Sequence, residues 1–323
     1  MKVCVTGATG FVGGHLIRAL QRRADTITCL VRDLDRGAAL GPDIRLVRGD
    51  LFDRAALAEA CREAEIVYHV AGRISARSEA EFLVANRDGT ANVLRAAAEA
   101  ATSIHRFVYV SSIAAGGPSR PGSPVDETRA PAPVTPYGRS KTAAEAVVRA
   151  GAVPWTIVRP PVVYGERDRE TLTLFRLARL GLGIVVGDGS QELSLVYAGD
   201  LADALIAAGT SATTTGKIYY AAHPNPTTSR ALVLAVGRAV GRRPMVLTIP
   251  GAVARGVLWT IGSLAHFTGQ ATVLSVDKLP EFLAPAWTFT SQALARDAGW
   301  VAATDLETGL GRTAQWYREA GWL

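Results

Sequence analysis

A glycine-rich turn near the N-terminus constrains the fold of this 323-residue chain more than any other feature. Gly7, Gly10 and Gly13 follow an apolar run that predicts a β-strand, and they precede a stretch that predicts a helix over 11–22. Glycine permits a tight turn and lets the backbone approach a pyrophosphate, while the helix N-terminus supplies free N–H groups. We therefore expect a bound dinucleotide to contact Gly7, Thr9, Gly10, Phe11, Val12 and Gly13.

The first half of the chain alternates short apolar runs with helical patterns. The apolar runs predict strands at 3–5, 27–31, 44–47, 66–70, 106–110 and 154–158. The helical patterns lie near 11–22, 53–62, 79–101 and 136–150. Strict alternation of strand and helix implies right-handed βαβ units and a parallel sheet. The expected fold class is α/β, a Rossmann-type doubly wound parallel sheet with a smaller, mostly helical C-terminal substrate lobe.

The alternation becomes irregular after position 160, and this change predicts two domains. We assign 1–165 with 193–222 to the nucleotide-binding domain, and 166–192 with 223–323 to the substrate-binding lobe. Within the first domain, 193–208 and 217–222 look like further strand and helix of the same sheet. A ligand is expected at the carboxyl ends of the strands, roofed by the second lobe.

An apolar segment with few charges, 251–268, lies in the second lobe. Its simplest interpretation is a helix in the core of the lobe. A lid over an apolar substrate is the second interpretation, and peripheral membrane contact is the third.

Composition restricts the classes of partner. Hydrophobic residues make up 48% of the chain and charged residues 20%, which is typical of a globular protein with a large core. The net charge of +6 comes mostly from scattered arginines, which does not indicate nucleic-acid binding. There is no signal-peptide pattern and no run of 18 uncharged apolar residues, so we expect no integral membrane segment. Cys4, Cys29 and Cys61 lack metal-ligand spacing, which favours a cytoplasmic protein that binds no metal.

The residue after the second predicted strand indicates which dinucleotide is bound. An NAD site usually has a carboxylate there for the ribose hydroxyls, whereas an arginine suits the 2′-phosphate of NADP. Arg32 occupies this position, with Arg36 nearby. NADP(H) is therefore the expected cofactor. NAD(H) would also fit if Asp33 took the ribose instead.

The ends of the next two strands supply further expected cofactor contacts. Asp50 and Leu51 follow the third strand, where a carboxylate could accept the adenine amino group. The fourth strand ends in Val70, Ala71 and Gly72, whose small side chains would let the cofactor lie against the backbone.

Two residues at the start of the helix near 136–150 predict acid–base chemistry. Tyr137 and Lys141 are four positions apart and therefore lie on one helix face. An adjacent ammonium would lower the phenol pKa, so that the tyrosine could exchange a proton with an alcohol or carbonyl. The fifth strand ends in Ser111 and Ser112, and a hydroxyl there could stabilise developing charge on the reacting oxygen.

Taken together and in this order, the motifs resemble those of the extended short-chain dehydrogenase/reductase family, also called the NAD-dependent epimerase/dehydratase family. The matching segments are TGATGFVGGHL, GDLFD, ANRDGTANVL, VYVSS, PYGRSK, RPPVVYG and LVYAGDLADAL. The resemblance implies that Ser112 is the catalytic serine, because it lies 25 residues before Tyr137. It also implies a supporting role for Asn86, and cofactor contacts from Pro160 and Val162.

Departures from the family patterns indicate the type of reaction. Ile113, Ala114 and Ala115 follow the serine where dehydratases of the family carry an acidic pair, which disfavours dehydration. Val162 replaces an asparagine that is usual in the sugar-nucleotide epimerases. In these respects the sequence is most similar to the 3β-hydroxysteroid dehydrogenase and dihydroflavonol reductase branches.

The expected activity is NADP-dependent interconversion of a secondary alcohol and a carbonyl on a small, fairly apolar substrate. Ser112, Tyr137 and Lys141 would form the catalytic site. The alternatives are an NAD-dependent nucleotide-sugar epimerase and a non-catalytic NADP-binding sensor. The alanine-rich helices could pair in a homodimer, or they could equally pack on the sheet.

Overall fold

The computed structural model describes residues 1–100, 104–256, 260 and 279–323. Its central feature is a sheet of seven parallel strands in the spatial order β11-β6-β5-β4-β1-β2-β3. The strands are β1 (Lys2–Thr6), β2 (Thr26–Val31), β3 (Ile44–Arg48), β4 (Ile66–His69), β5 (Arg106–Val110), β6 (Trp155–Arg159) and β11 (Lys217–Tyr220). The predicted doubly wound α/β fold is confirmed.

Helices cover both faces of this sheet because its inner strands are apolar on both sides. One face is covered by α1 (Phe11–Arg22) and α9 (Ala198–Thr210), through side chains such as Leu16 and Leu205. The other is covered by α3 (Arg54–Cys61), α5 (Gly89–Ala100) and α7 (Pro136–Ala150), through side chains such as Leu57 and Val148. The shorter helices α2 (Leu34–Ala38), α4 (Glu79–Phe82) and α6 (Ile113–Gly116) border the carboxyl edge, and a π-helical segment, Leu83–Asp88, joins α4 to α5.

The chain order reverses between β1 and β4. From β1 the chain proceeds outward to β2 and β3 and then returns to β4 on the other side of β1. In such sheets the reversal opens a crevice at the carboxyl ends of the strands, where ligands bind. The predicted site residues follow the strands that border this crevice.

The segments 166–192 and 223–323, which we call the second lobe, contain the helices α8 (Leu172–Arg179), α10 (Ser229–Ala239), α11 (Leu279–Leu283), α12 (Gln292–Ala298) and α13 (Leu306–Glu319). A short 3₁₀ turn, Ala212–Thr214, lies between α9 and β11. Three small sheets accompany them. They pair β7 (Val162–Tyr164) with β10 (Leu195–Tyr197), β8 (Leu182–Val186) with β13 (Met245–Ile249), and β9 (Glu192–Leu193) with β12 (Thr227–Thr228) and β14 (Ala286–Trp287). None of the described helices has both the length and the apolar character needed to cross a bilayer.

The strand predicted at the start of 193–208 does not join the central sheet, since β10 pairs with β7, while β11 takes the edge beside β6. Residues 251–256 are helical, but most of the apolar segment 251–268 lies outside the described residues.

Candidate active site

The glycine turn forms a cradle that side chains would fill. Gly7 has a φ of +77°, and a Cβ there would lie 2.6 Å from the backbone nitrogen of Ala71. A Cβ on Gly13 would lie 2.1 Å from the carbonyl oxygen of Gly7. Gly10 precedes α1 and offers no side-chain cap, so the first-turn N–H groups face the crevice without an internal acceptor. This arrangement fits a bound pyrophosphate.

The turn after β4 connects this cradle to helix α7. The backbone N–H of Ala71 donates to Thr6 Oγ1 at 3.4 Å. A Cβ on Gly72 would lie 3.3 Å from Asn86 Oδ1 and 3.6 Å from Lys141 Nζ. Residues 70–72, the predicted cofactor contacts that we call the floor, therefore lie between the glycine turn and Lys141.

Asn86 holds that floor in place. It is 1% exposed and lies in the π-helical segment. Its side chain accepts a hydrogen bond from Arg73 N at 2.7 Å and donates to Arg73 O at 3.0 Å and to Ser140 Oγ at 2.9 Å. The asparagine thus joins the floor loop to α7, which is a supporting arrangement.

His69 is buried below the same floor. Its ring nitrogens lie 2.7 Å from Thr6 Oγ1 and 2.9 Å from Thr90 Oγ1. Burial, together with the charge of Lys141, lowers the pKa of His69 to about 3. The histidine is therefore neutral at physiological pH and ties β1, β4 and α5 together.

The adenosine end of the crevice carries exposed arginines. Asp33 is the N-cap of α2, and its carboxylate accepts from Asp35 N at 3.0 Å and Arg36 N at 3.2 Å. Arg36 Nη2 reaches the carbonyl of Thr9, 3.4 Å away on the glycine turn. Arg32 is exposed beside them. The carboxylate that could have bound a ribose is thus engaged in capping.

Asp50 and Leu51 lie in the turn after β3. Asp50 Oδ1 accepts from Phe52 N at 2.7 Å and Asp53 N at 3.1 Å, and the side chain remains exposed. The carbonyl of Leu51 accepts from Asn92 Nδ2 at 3.0 Å. Gly49 N bonds Val31 O at 2.9 Å, so this turn sits at the same sheet edge as Arg32.

Helix α7 carries Tyr137, the predicted catalytic tyrosine, in its first turn. Thr135 is its N-cap and accepts from Gly138 N at 3.1 Å, while Pro136 occupies the first turn, where its missing N–H has no cost. Tyr137 is half-buried and shares a hydrogen bond with the side chain of Ser112. Ser111 instead donates to Glu145, below the site. The structure therefore brings Ser112 and Tyr137 together and directs Ser111 away from them.

The expected lowering of the tyrosine pKa by Lys141 is wrong for this structure. Burial raises the pKa of Tyr137 to about 12, against the opposing effect of the Ser112 hydrogen bond. Lys141 Nζ donates to the carbonyl of Val110 at 2.7 Å and lies 4.5 Å from the ring centre of Tyr109. Burial lowers the pKa of Lys141 to about 7, so its positive charge is only partial at neutral pH. The pKa of each group is shifted mainly by its own desolvation and not by the other group.

Two buried charged residues below the site were missed by sequence reasoning. Glu145 lies one helical turn after Lys141, and Arg159 ends β6. Arg159 donates to both carboxylate oxygens of Glu145, at 2.8 and 2.6 Å, and to Tyr220 OH at 3.0 Å. The available signal was the position of Glu145 on the same helix face as Lys141, four residues on.

Pro160 and Val162, the two residues predicted from the RPPVVYG motif, lie in different environments. The carbonyl of Pro160 accepts from Ile113 N at 3.0 Å, which fixes the start of α6 behind Ser112. Val162 is 42% exposed at the start of β7. No cluster of candidate metal ligands occurs among the described residues.

Comparison with known proteins identifies the family of the chain. Residues 3–222 match the NAD dependent epimerase/dehydratase family over more than half of the chain. The chain belongs to this family. It is an NAD(P)-dependent enzyme of the extended short-chain dehydrogenase/reductase type.

Relatives in this family include both reductases and epimerases. The chain is 32% identical to the ceramide reductase of Caulobacter vibrioides over 99% of its length and 96% of that protein. It is 26% identical to the UDP-glucose 4-epimerase of Vibrio cholerae over 99% of its length and 96% of that protein. The crystal structure of gox2253 superimposes with a TM-score of 0.81 and 26% identity, covering 99% of both chains.

Proposed function

We propose that this protein reduces a ketone on a fairly apolar substrate with NADPH. Ser112, Tyr137 and Lys141 would form the catalytic group. The observation that carries the proposal is the hydrogen-bonded pair of Ser112 and Tyr137 at the mouth of the crevice, with the tyrosine held in its protonated form.

The protonated state of Tyr137 is the state that carbonyl reduction requires. A phenol whose pKa is about 12 is protonated at neutral pH and can donate a proton to a carbonyl oxygen. The Ser112 hydroxyl, whose Oγ also accepts from Ala114 N at 3.1 Å, is held where it can orient the same oxygen. A bound reduced nicotinamide supplies the hydride to the carbonyl carbon. Lys141, buried against Val110 and Tyr109, would orient the nicotinamide end of the cofactor.

The arginines at the adenosine end support NADP over NAD. Asp33 is occupied as a helix cap, whereas Arg32 and Arg36 are exposed at the edge of the crevice. A guanidinium suits a 2′-phosphate through charge-assisted hydrogen bonds, and a ribose hydroxyl gains less from it. We therefore assign the 2′-phosphate to these two side chains.

The reductase among the relatives supports a long-chain substrate. The protein that shares 32% identity over nearly the full length of both chains is a ceramide reductase. A ceramide is an electroneutral long-chain amide, which agrees with a fairly apolar substrate. The alternative is epimerisation of a nucleotide sugar, which the UDP-glucose 4-epimerase relative favours.

The test is NADPH consumption with a panel of ketones that includes long-chain 3-oxo amides, steroids, aryl ketones and UDP-glucose. We expect turnover with the long-chain ketones. Tyr137→Phe should lower kcat by roughly 10²–10⁴-fold, because the proton donor is lost. Tyr219→Phe is the matched control. Tyr219 lies on β11, and its hydroxyl donates to Asp297 on α12 rather than to a predicted site residue, so the kcat of this variant should stay near that of the parent protein.

Cofactor preference is tested by fluorescence titration with NADPH and NADH. Arg32→Ala should weaken NADPH binding by roughly 10–100-fold, as expected for one charge-assisted contact, and leave NADH binding nearly unchanged. Equal affinity of the parent protein for both dinucleotides would contradict the NADP assignment. Conversion of UDP-glucose without net NADPH consumption would favour the epimerase instead.

A further inference from the structure

Helix α11 of the second lobe reaches the start of the catalytic helix. The hydroxyl of Thr135 donates a hydrogen bond to Glu281 Oε1 at 2.8 Å. Thr135 is the N-cap of α7 and is 1% exposed. Tyr137 lies two residues further along that helix. The Glu281 carboxylate is therefore at the boundary between the second lobe and the catalytic residues.

The backbone of Glu281 is fixed by side chains from elsewhere in the lobe. Gln191 Nε2 donates to the carbonyls of Glu281, Phe282 and Ala284, at 3.2, 3.3 and 2.6 Å. Trp287 Nε1 donates to the carbonyl of Glu281 at 2.9 Å. The carboxylate is thus anchored on both sides, through its main chain and through Thr135.

The negative charge of Glu281 reaches the catalytic tyrosine. After burial and the Ser112 hydrogen bond, this charge is a further cause of the shift in the pKa of Tyr137, and it acts to raise it. A negative group on a substrate, next to the reacting carbonyl, would experience the same negative charge of Glu281. Like charges in a half-buried site repel more than they do in water, because less water separates them.

We propose that Glu281 determines the charge of the substrate, favouring uncharged ketones and rejecting those with a carboxylate next to the reacting group. This inference rests on the proposed ketone reduction and narrows its substrate class. An amide N–H or a hydroxyl near the carbonyl can donate to the carboxylate, whereas a 3-oxo acid places its own carboxylate two bonds from the reacting carbon. Neutral 3-oxo amides and esters are therefore the expected substrates.

The experiment compares 3-oxooctanoate with its methyl ester, which differ mainly in charge. The parent protein should show a kcat/KM at least roughly tenfold higher for the ester, the ratio expected from a modest charge repulsion. Glu281→Gln should bring the two values within roughly threefold, mainly by lowering the KM for the acid. The amide of glutamine still accepts from Thr135, so the helix cap is retained. Glu281→Asp keeps the charge and should keep the preference for the ester.

Glu192→Gln is the control for a general loss of negative charge in the lobe. Glu192 accepts from the backbone of Gly122 and should leave the ester-to-acid ratio unchanged when replaced. A Glu281→Gln variant that loses activity equally on both substrates has lost only structural support, which would overturn the proposal.

Binding of both ligands to the NADP-loaded protein, measured by calorimetry, separates this inference from the proposed function. One outcome is that the parent protein binds the ester selectively, that Glu281→Gln abolishes this selectivity, and that no turnover is seen. This outcome supports the role of Glu281 and contradicts the reduction. Turnover with equal efficiency on acid and ester supports the reduction and contradicts the role of Glu281. Binding of neither ligand contradicts both.

Discussion

Arg159 and Glu145 form an ion pair of two hydrogen bonds, 2.8 and 2.6 Å long, and both side chains are almost completely buried. The pair joins the end of β6 to the middle of α7. Ser111 also donates to the Glu145 carboxylate, and Tyr220 accepts from the Arg159 guanidinium. Although burial lowers the pKa of Arg159, the Glu145 carboxylate holds it above its usual value. Helix α7 is therefore attached to the sheet by a charged pair one helical turn after Lys141.

Removal of one partner from this pair should be strongly destabilising. Glu145→Gln leaves the Arg159 charge buried without compensation, which typically costs about 3–5 kcal/mol. We expect the urea midpoint to fall accordingly, with an unchanged slope. Ser111→Ala removes one hydrogen bond to the same carboxylate and should cost only about 1 kcal/mol.

The double variant Glu145→Leu with Arg159→Met distinguishes a charge effect from simple loss of packing. Replacing both partners with apolar side chains removes the unpaired charge, so the double variant should be more stable than Glu145→Gln. A double variant that is less stable than Glu145→Gln would contradict the charge argument.

Burial of Lys141 should make the stability of the cofactor-free protein depend on pH. Its pKa falls from 10.5 to about 7 on folding because it is buried. Between these values the unfolded chain binds more protons than the folded one, so this group makes stability rise with pH. The cost of burying the charge is present in full below about pH 7 and disappears above pH 10.5.

Lys141→Met should remove this dependence. The measurement is the difference in Tm between the parent protein and the variant at several pH values. The variant should be the more stable of the two at pH 6, and the difference should shrink as the pH approaches 10. A difference independent of pH would show that Lys141 keeps an ordinary pKa in the folded protein.

Alanine substitutions at Gly7 and Gly122 distinguish the effect of backbone strain from the effect of a close contact. Their φ angles are similar, +77° and +69°, but a Cβ at Gly122 would meet no atom within 4 Å. Gly122→Ala should therefore cost only the strain of the left-handed conformation, about 1–2 kcal/mol. Gly7→Ala adds a clash with the Ala71 backbone and should also weaken NADPH binding at least roughly tenfold. Fluorescence titration and thermal unfolding of both variants measure the two effects, and equal losses of affinity would contradict the cradle.

Local patterns were sufficient to predict the central sheet and the residues along its edge. The alternation of apolar runs and helices leads directly to α1, α3, α7 and the strands between them, because each depends on a short stretch of chain. The family membership followed from motifs at strand ends. Contacts between distant segments could not be predicted in this way. Strand β10 pairs with β7 rather than with the central sheet, and no local pattern specifies that partner.

The electrostatics of the site were equally inaccessible to the sequence. The i, i+4 spacing correctly places Tyr137 and Lys141 on one helix, but their pKa values depend on how deeply each is buried. Arg159 and Glu281 lie 22 and 144 residues from Tyr137, so nothing in the local pattern connects them to it. The apolar segment 251–268 stays a prediction beyond position 256.

The hydroxyl of Thr135 has a consequence for protein engineering. Its oxygen accepts from Gly138 N and so caps helix α7, while its hydrogen is donated to Glu281 of the second lobe. The central sheet unit and the second lobe are therefore not interchangeable modules. A chimera that imports another lobe to change specificity would need an acceptor for this hydroxyl at the same point, or the first turn of the catalytic helix would lose its anchor to the lobe.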